Sequence, residues 1–444
     1  MKRIVAGLLG ILLCAGGAGC QPTPEADIVV YKGQSASGMI PNEPGNHYQA
    51  PAHVAEEVNL YGLRVEVDAP VQVPNLPGYG VTEVKKQAFS ADYLSFLVHY
   101  FVPDAQLYAE AVLDKRQIAE RLLALEQVEV QEGQNKAFIL EAYRGALKTA
   151  PEPADVQALR QPFSIEDAPE GESCWAFSPN DRYDTYYWFS MERGGNQFLY
   201  YRDHSANIIC ESHLDETSPQ QKDFEGAFPI SYEGGLAVAQ QTVDALGLRD
   251  MGCSFGEKAC VYQDGFILKS KGWQYVFTKE SQGLLSYYIG GGGIWNNQTP
   301  KFASPWGEEC LLITVDRDGV LGFDWRRATI QTAVLEDDVA LLPFEQILER
   351  AQQQLAFRHA PKEDTADEKY VHVYEIRLAS VMVNVPNETE VAQFIPAWDF
   401  LYELRSIENG AEYGIPYVLC LDATDGSYIE PRVMIDPSVM PAAS

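Results

Sequence analysis

His204, Cys210, His213 and Asp215 stand within twelve positions of one another, and all four belong to the residue types that bind zinc. A zinc site needs three or four such groups converging at about 2.0–2.3 Å, with thiol and imidazole deprotonated. Loop residues, with a cysteine held in a disulfide or kept as a buried thiol, explain the same pattern. The set therefore stands as a weak metal candidate, and no cofactor is expected. The chain has no Cys-x2-Cys, no His-Glu-x-x-His and no Gly-x-Ser-x-Gly, so zinc ribbons, zincins and the nucleophile elbow lack their residues. Asp316-Arg-Asp318-Gly319 and Asp422-Ala-Thr-Asp425-Gly426 invite a calcium reading. A calcium loop needs six to eight oxygens, including a bidentate carboxylate several residues on, and Val-Leu-Gly-Phe after Gly319 supplies none. These are hairpin turns.

Gly290–Gly293 lacks the Gly-Lys-Ser/Thr of a phosphate loop. It opens a long segment, 290–309, carrying Trp295 and Trp306, which makes these two tryptophans the candidate contact loop. The 63 carboxylates single out no glycosidase pair, and no catalytic residue is expected. Residues 174–201 are dense in aromatics: Trp175, Phe177, Tyr183, Tyr186, Tyr187, Trp188, Phe189, Phe198, Tyr200 and Tyr201. Interleaved with polar residues, they have a β-hairpin composition, and serve either as a platform for sugar or peptide or as cross-strand packing. Beyond Cys14 and Cys20, six cysteines remain, which allow fifteen pairings. Cys253 and Cys260 enclose a short loop and form the expected local disulfide. Cys310 and Cys420 adjoin apolar runs and read as buried thiols.

These residues need elements to hold them. Positions 61–73 alternate as a half-buried strand broken by Pro70, and 81–87 read as a second strand. Ser90 caps a helix that ends at Phe101, before Pro103. Helical spacing continues over 106–126 and 132–149. Pro151, Pro153, Pro162 and the acidic run 166–172 then suggest a domain edge. Further on, Ser231 caps a helix closed at Gly247, with Leu236, Ala239, Val243 and Leu246 on one face. A strand at 273–278 and a hairpin at 311–323 follow. The order recurs: a helix over 342–355, strands at 370–378 and 393–400, and a hairpin at 417–429. Asp316-x-Asp318-Gly319 matches Asp422-x-x-Asp425-Gly426, so two degenerate copies are expected.

The N-terminus carries an address. Met1-Lys2-Arg3 precedes an apolar run and small residues that end at Cys20, the order of a secretory signal peptide. Ala18-Gly19-Cys20 resembles the lipobox of bacterial lipoproteins, with Gly17 where Leu is usual. The resemblance implies lipidation of Cys20 and a membrane anchor facing outside the cytoplasm. Residues 21–27 supply a polar, Pro-containing tether. Losing Lys2 and Arg3 with the leader takes the net charge from −30 to −32. That balance disfavours nucleic acid as a partner.

The helix-then-strands units ending in Val-Asp-x-x-Gly resemble PepSY-type domains and the related extracytoplasmic regulators YycH and YycI. Ile395-Pro-Ala-Trp398, before the last hairpin, adds to the resemblance. With the lipobox, the whole chain resembles uncharacterised lipoproteins of Gram-positive gut bacteria. The expected fold is α+β, with antiparallel sheets and packed helices, and a C-terminal half of two PepSY-like α-β-β-β repeats. The expected organisation is a signal peptide 1–19, a tether 20–30, an N-terminal α+β domain 31–170, an aromatic-rich β segment 171–227, and repeats 228–335 and 336–444. The expected function is non-enzymatic binding or regulation of an envelope protein or peptide. An envelope hydrolase acting on glycan or peptide, and a solute-binding lipoprotein, are the alternatives.

Overall fold

In the computed structural model, which describes residues 28–29, 48–128, 136–214, 218, 220–286, 309–360, 368–385, 388, 390–408 and 411–429, Ser90 and Ser231 act as helix caps. Ser90 Oγ accepts the Tyr93 N–H at 3.1 Å and starts the helix Ala91–Phe101. Ser231 Oγ accepts the Gly234 N–H at 3.0 Å and starts Tyr232–Ala245. Each satisfies an N–H that the first turn leaves unpaired. The expected helix over 106–126 forms only as Lys115–Gln127, because Asp114 and Gln117 build a capping box there. Residues 107–109 instead run extended. The next helix is Lys136–Thr149.

In chain order the first strands are β1 (Ile28–Val29), β2 (His53–Leu60), β3 (Leu63–Gln72) and β4 (Val81–Lys86). The aromatic region gives β5 (Ser173–Asn180), β6 (Thr185–Glu192), β7 (Phe198–Tyr201) and β8 (Ala206–Cys210). Then come β9 (Met251–Gln263), β10 (Ile267–Ser281), β11 (Leu284–Leu285), β12 (Cys310–Asp316), β13 (Gly319–Arg326) and β14 (Thr329–Glu336). After the helix Phe344–His359 follow β15 (Glu368–Asn384), β16 (Val391–Glu408), β17 (Ala411–Asp422) and β18 (Tyr428–Ile429). The chain is α+β, with mostly antiparallel sheets and packed helices.

Two units divide the chain, and neither is a linear segment. The first gathers Met1–Pro77, Val339–Leu378 and Pro396–Pro431; the second gathers Gly78–Asp338, Ala379–Ile395 and Arg432–Ser444. The expected domain 31–170 therefore divides at Pro77, and no boundary falls at 170. The reason is pairing: β5–β7 extend the same sheet as β8–β10 and β12–β13, in the order β5-β6-β7-β13-β12-β10-β9-β8. Leu94 and Leu97 of one helix and Ala239 and Val243 of another share its core with Phe323 and Trp325. In the first unit the strand order is β1-β18-β17-β16-β15-β3-β2. Phe344, Ile347, Ala351 and Leu355 form the buried stripe of its helix. Pro70 does not break β3. It sits opposite His53 of β2, and the parallel ladder to β15 shifts register between Val373 and Ile376 where Pro70 has no N–H to give.

The helix-and-strand order occurs twice, with four strands rather than three; the first copy lies in the second unit, and the second copy belongs to the first unit except for Ala379–Ile395. The helix Tyr232–Ala245 is followed by β9, β10, β12 and β13, neighbours in that order; Phe344–His359 is followed by β15, β16, β17 and β18, also neighbours in that order. The registers coincide. Gly272 faces Asp316 and Trp273 faces Val315 in one copy; Ala397 faces Asp422 and Trp398 faces Leu421 in the other. Trp273 meets the first helical residue Tyr232 edge-on at 5.2 Å, and Trp398 meets Phe344 in the same way at 5.1 Å. Asp316 accepts the Asp318 N–H at 2.9 Å, and Asp422 accepts the Thr424 N–H at 2.7 Å. Gly319 and Gly426 complete these turns at φ 102° and 69°, which a side chain would oppose.

Candidate binding face and edge strand

The β5–β6–β7 end of the second sheet sends alternate residues to opposite faces. Ala176, Phe189, Met191, Phe198 and Tyr200 enter the core. The outer face carries Trp175, Trp188 and Tyr201. Trp175 is 62% exposed and stands edge-on to Trp188 at 6.3 Å, which stacks on Tyr201 at 5.5 Å. A Cβ at Gly322 of β13 would come within 2.7 Å of the Tyr201 ring, so glycine there lets the tyrosine lie over the next strand. Burial first, then Asp324, pushes the Tyr201 hydroxyl up to about 12, and the ring stays neutral. The Trp188 Nε1–H is buried with no hydrogen-bond partner among the described residues. Beside this row, Ser173, Ser190, Leu199, Asp324 and Arg326 line a small cavity of about 140 Å³. Arg326 Nε donates to both Asp324 oxygens, at 3.0 and 2.9 Å.

β5 ends its sheet. Phe177 turns its backbone outward, exchanging hydrogen bonds with Tyr108 at 2.8 and 2.9 Å. Because β5 pairs with β6 without a bulge from Ser173 to Asn180, Trp175 and Ser173 direct their N–H and C=O groups to the same outer edge. Both residues are exposed. Pro179 blunts the far end of this edge.

The zinc candidates do not converge. His204 sits in the turn before β8 and Cys210 ends that strand, whose four steps from Ala206 at about 3.3 Å each already span roughly 13 Å. His204 Nδ1 bonds Thr185 Oγ1 at 2.9 Å, and Cys210 Sγ donates to Gln274 Oε1 at 3.2 Å. Burial, then Glu257, raises the Cys210 thiol well above its ordinary value, which disfavours the thiolate a metal would need. His213 lies in the turn Glu211–His213. No metal-holding group of three His, Cys, Asp or Glu occurs among the described residues. Asp215, Trp295, Trp306 and Cys20 lie outside them.

The expected Cys253–Cys260 disulfide is corrected: both residues lie along β9 and both are free. A strand carries residues seven apart to a separation of roughly 23 Å, far beyond a disulfide's reach. Cys253 packs on the main core of the second unit, and Cys260 packs with Phe224 and Tyr262.

Thr185, Asp203 and His204 form the arrangement nearest to a nucleophile and base. Asp203 Oδ1 accepts from Thr185 Oγ1 at 2.9 Å, from the Ser205 N–H at 2.9 Å and from Ser205 Oγ at 2.8 Å. Burial opposes ionisation of Asp203, yet these donors hold it below the usual range. Thr185 gives its only proton to Asp203, so His204 donates to Thr185 instead of deprotonating it. The trio fixes the strand connection.

Asp399 is a buried charge with a different balance. It faces Arg377 Nε at 3.8 Å, and burial outweighs Arg377 and Cys420 to push its carboxyl up to about 6. A carboxyl raised in the folded state favours folding most below pH 3.8, and that benefit is lost as pH rises through 6. Asp399→Asn is therefore expected to stabilise the chain by about 1–3 kcal/mol at pH 8 and to change little at pH 4. Arg377 keeps Glu375 at 3.6 Å. Urea midpoints at the two pH values test this; equal shifts at both would refute it.

No family model matches the chain, and no curated protein matches it. Among solved structures, it is similar to an uncharacterized protein from Eubacterium rectale ATCC 33656, at 13% identity and a TM-score of 0.45, over 86% of this chain and 94% of that one. Among the described residues, no helix is long and apolar enough to cross a membrane.

Proposed function

We propose that the chain is a lipid-anchored, extracytoplasmic binding or regulatory module whose partner is an envelope protein or peptide. The observation that carries this reading is the outer aromatic row, where a tryptophan 62% exposed stands on a sheet whose other face is full core. Ala18-Gly19-Cys20 supports the anchor and the side of the membrane. The repeated helix-and-four-strand unit is in keeping with the PepSY resemblance, whose members are binding or inhibitory modules. Thr185–Asp203–His204, with its proton directed away from the histidine, lends no support to a hydrolase.

A photo-crosslinking residue at position 175 in the producing cell tests the reading. The expected result is one discrete crosslink to an envelope polypeptide, absent when the probe replaces Leu123, which is 59% exposed on a helix. Cys20→Ala is expected to release the chain from the membrane fraction. Absence of any crosslink from position 175 would sink the binding reading.

A further inference from the structure

We propose that the open edge of β5 at Ser173 and Trp175 receives an extended, lysine- or arginine-bearing polypeptide as an added strand. The proposal deepens the binding-module reading and rests on it. An exposed edge is a row of unsatisfied backbone donors and acceptors, and strand addition is how such an edge recognises a peptide. Folded chains usually blunt these edges. β2, the end strand of the other sheet, does so with exposed Glu56, Glu57 and Asn59. Among the described residues, β5 is covered only at Phe177, by Tyr108, and carries Pro179 next to its last residue. Between these and its start, the two outward-facing residues offer two N–H and two C=O groups, enough for about four residues of an added strand. The side chain at the centre of this gap is Trp175, the large rigid type that anchors interfaces.

Charge selects the partner. The chain enters β5 through Glu166, Asp167, Glu170 and Glu172, all exposed. The nearby cation Arg326 is already held by Asp324. A segment with basic residues on one face would neutralise this run while its apolar face meets Trp175. A second copy of this chain, at net charge −30, would bring a like-charged edge and be repelled.

The test uses the full chain in detergent and a labelled seven-residue peptide of alternating Lys and Val, read by fluorescence anisotropy. Binding is expected to weaken about tenfold or more with Trp175→Ala, to fail when alternate peptide amides are N-methylated, and to weaken with added salt. Trp175 is exposed, so the variant is expected to melt like the parent. Equal binding of the methylated peptide, equal binding of a Glu–Val peptide, or self-association lost with Trp175→Ala would overturn the proposal. Absence of peptide binding alongside a discrete crosslink from position 175 would overturn strand addition and leave the binding module standing. Absence of both would overturn both.

Discussion

Replacing Lys279 by methionine is expected to cost about 3–5 kcal/mol of stability, the loss that follows when one member of a buried ion pair is removed. The Lys279 side chain is 4% exposed, with its ammonium 2.6 Å from Asp250 and 3.5 Å from Glu309, whose side chain is 1% exposed. Lys279 also donates to the Thr329 carbonyl at 2.9 Å. Trp325 Nε1 donates to Glu309 at 3.0 Å, and the Thr329 hydroxyl donates to its other oxygen. Burial raises the Glu309 carboxyl against the pull of Lys279, Thr329 and Trp325. Without the lysine, Glu309 retains two neutral donors and must be buried charged or take up a proton. The loss should therefore be larger at pH 8 than at pH 5. Adding Glu309→Gln should recover most of it, because the stranded charge disappears. Urea midpoints of the two single variants and the double variant give the coupling. A Lys279→Met cost below about 1 kcal/mol would show that the network does not support the fold.

The second large effect is loss of stability in mild acid. Burial first, and then Arg121, pushes the His204 imidazole down to about 4. A histidine depressed in the folded state contributes stability that is fully present above pH 6.5 and is lost as pH falls toward 4. The shift from the ordinary value corresponds to ~3 kcal/mol. His359 moves in the same direction, to about 4, through burial and Arg358, while its Nε2 meets the Tyr402 hydroxyl at 2.9 Å. It is only half-buried and contributes less. Asp399 acts in the opposite sense over part of this range. The unfolding midpoint is thus expected to fall between pH 6.5 and 4, and His204→Gln is expected to flatten that decline. An unchanged pH slope in the variant would count against the buried neutral imidazole.

Local chemistry was legible in the sequence wherever a side chain acts on its own neighbours. Ser90 and Ser231 identified their helices by the N–H groups they accept, and Asp318-Gly319 identified a hairpin. β9 was not legible, because Gly252, Cys253, Gly256 and Cys260 interrupt its alternation and read more readily as a cysteine loop. β2 was missed for a related reason: its exposed Glu56, Glu57 and Asn59 show little apolar pattern. The two-unit division was hidden altogether. It depends on the parallel pairing of β3 with β15, and no local pattern encodes a contact so distant. The candidate face was legible only as an aromatic stretch. Trp175 was one of ten aromatics in 174–201, while the contact loop was sought at Trp295 and Trp306. The edge position of Trp175 depends on how much of β5 Tyr108 covers.

The discontinuity of the units has a consequence for the order of folding. Glu56 and Gln352 are hydrogen-bonded partners 296 residues apart in sequence. Closing so large a loop in an unfolded chain is entropically costly and slow. The second unit removes most of that cost. Its main stretch, Gly78–Asp338, is nearly continuous, and Tyr79 N–H donates to Asp338 at 3.1 Å across 259 residues. Once it has formed, the chain leaves and re-enters at neighbouring points, and Pro77 and Val339 are delivered close together. A chain folding as it is made would thus assemble its middle first, with its first strands waiting for β15 to β18. A truncation before β15 should leave the early strands without their partner and expose them to proteases, while the 78–338 portion persists.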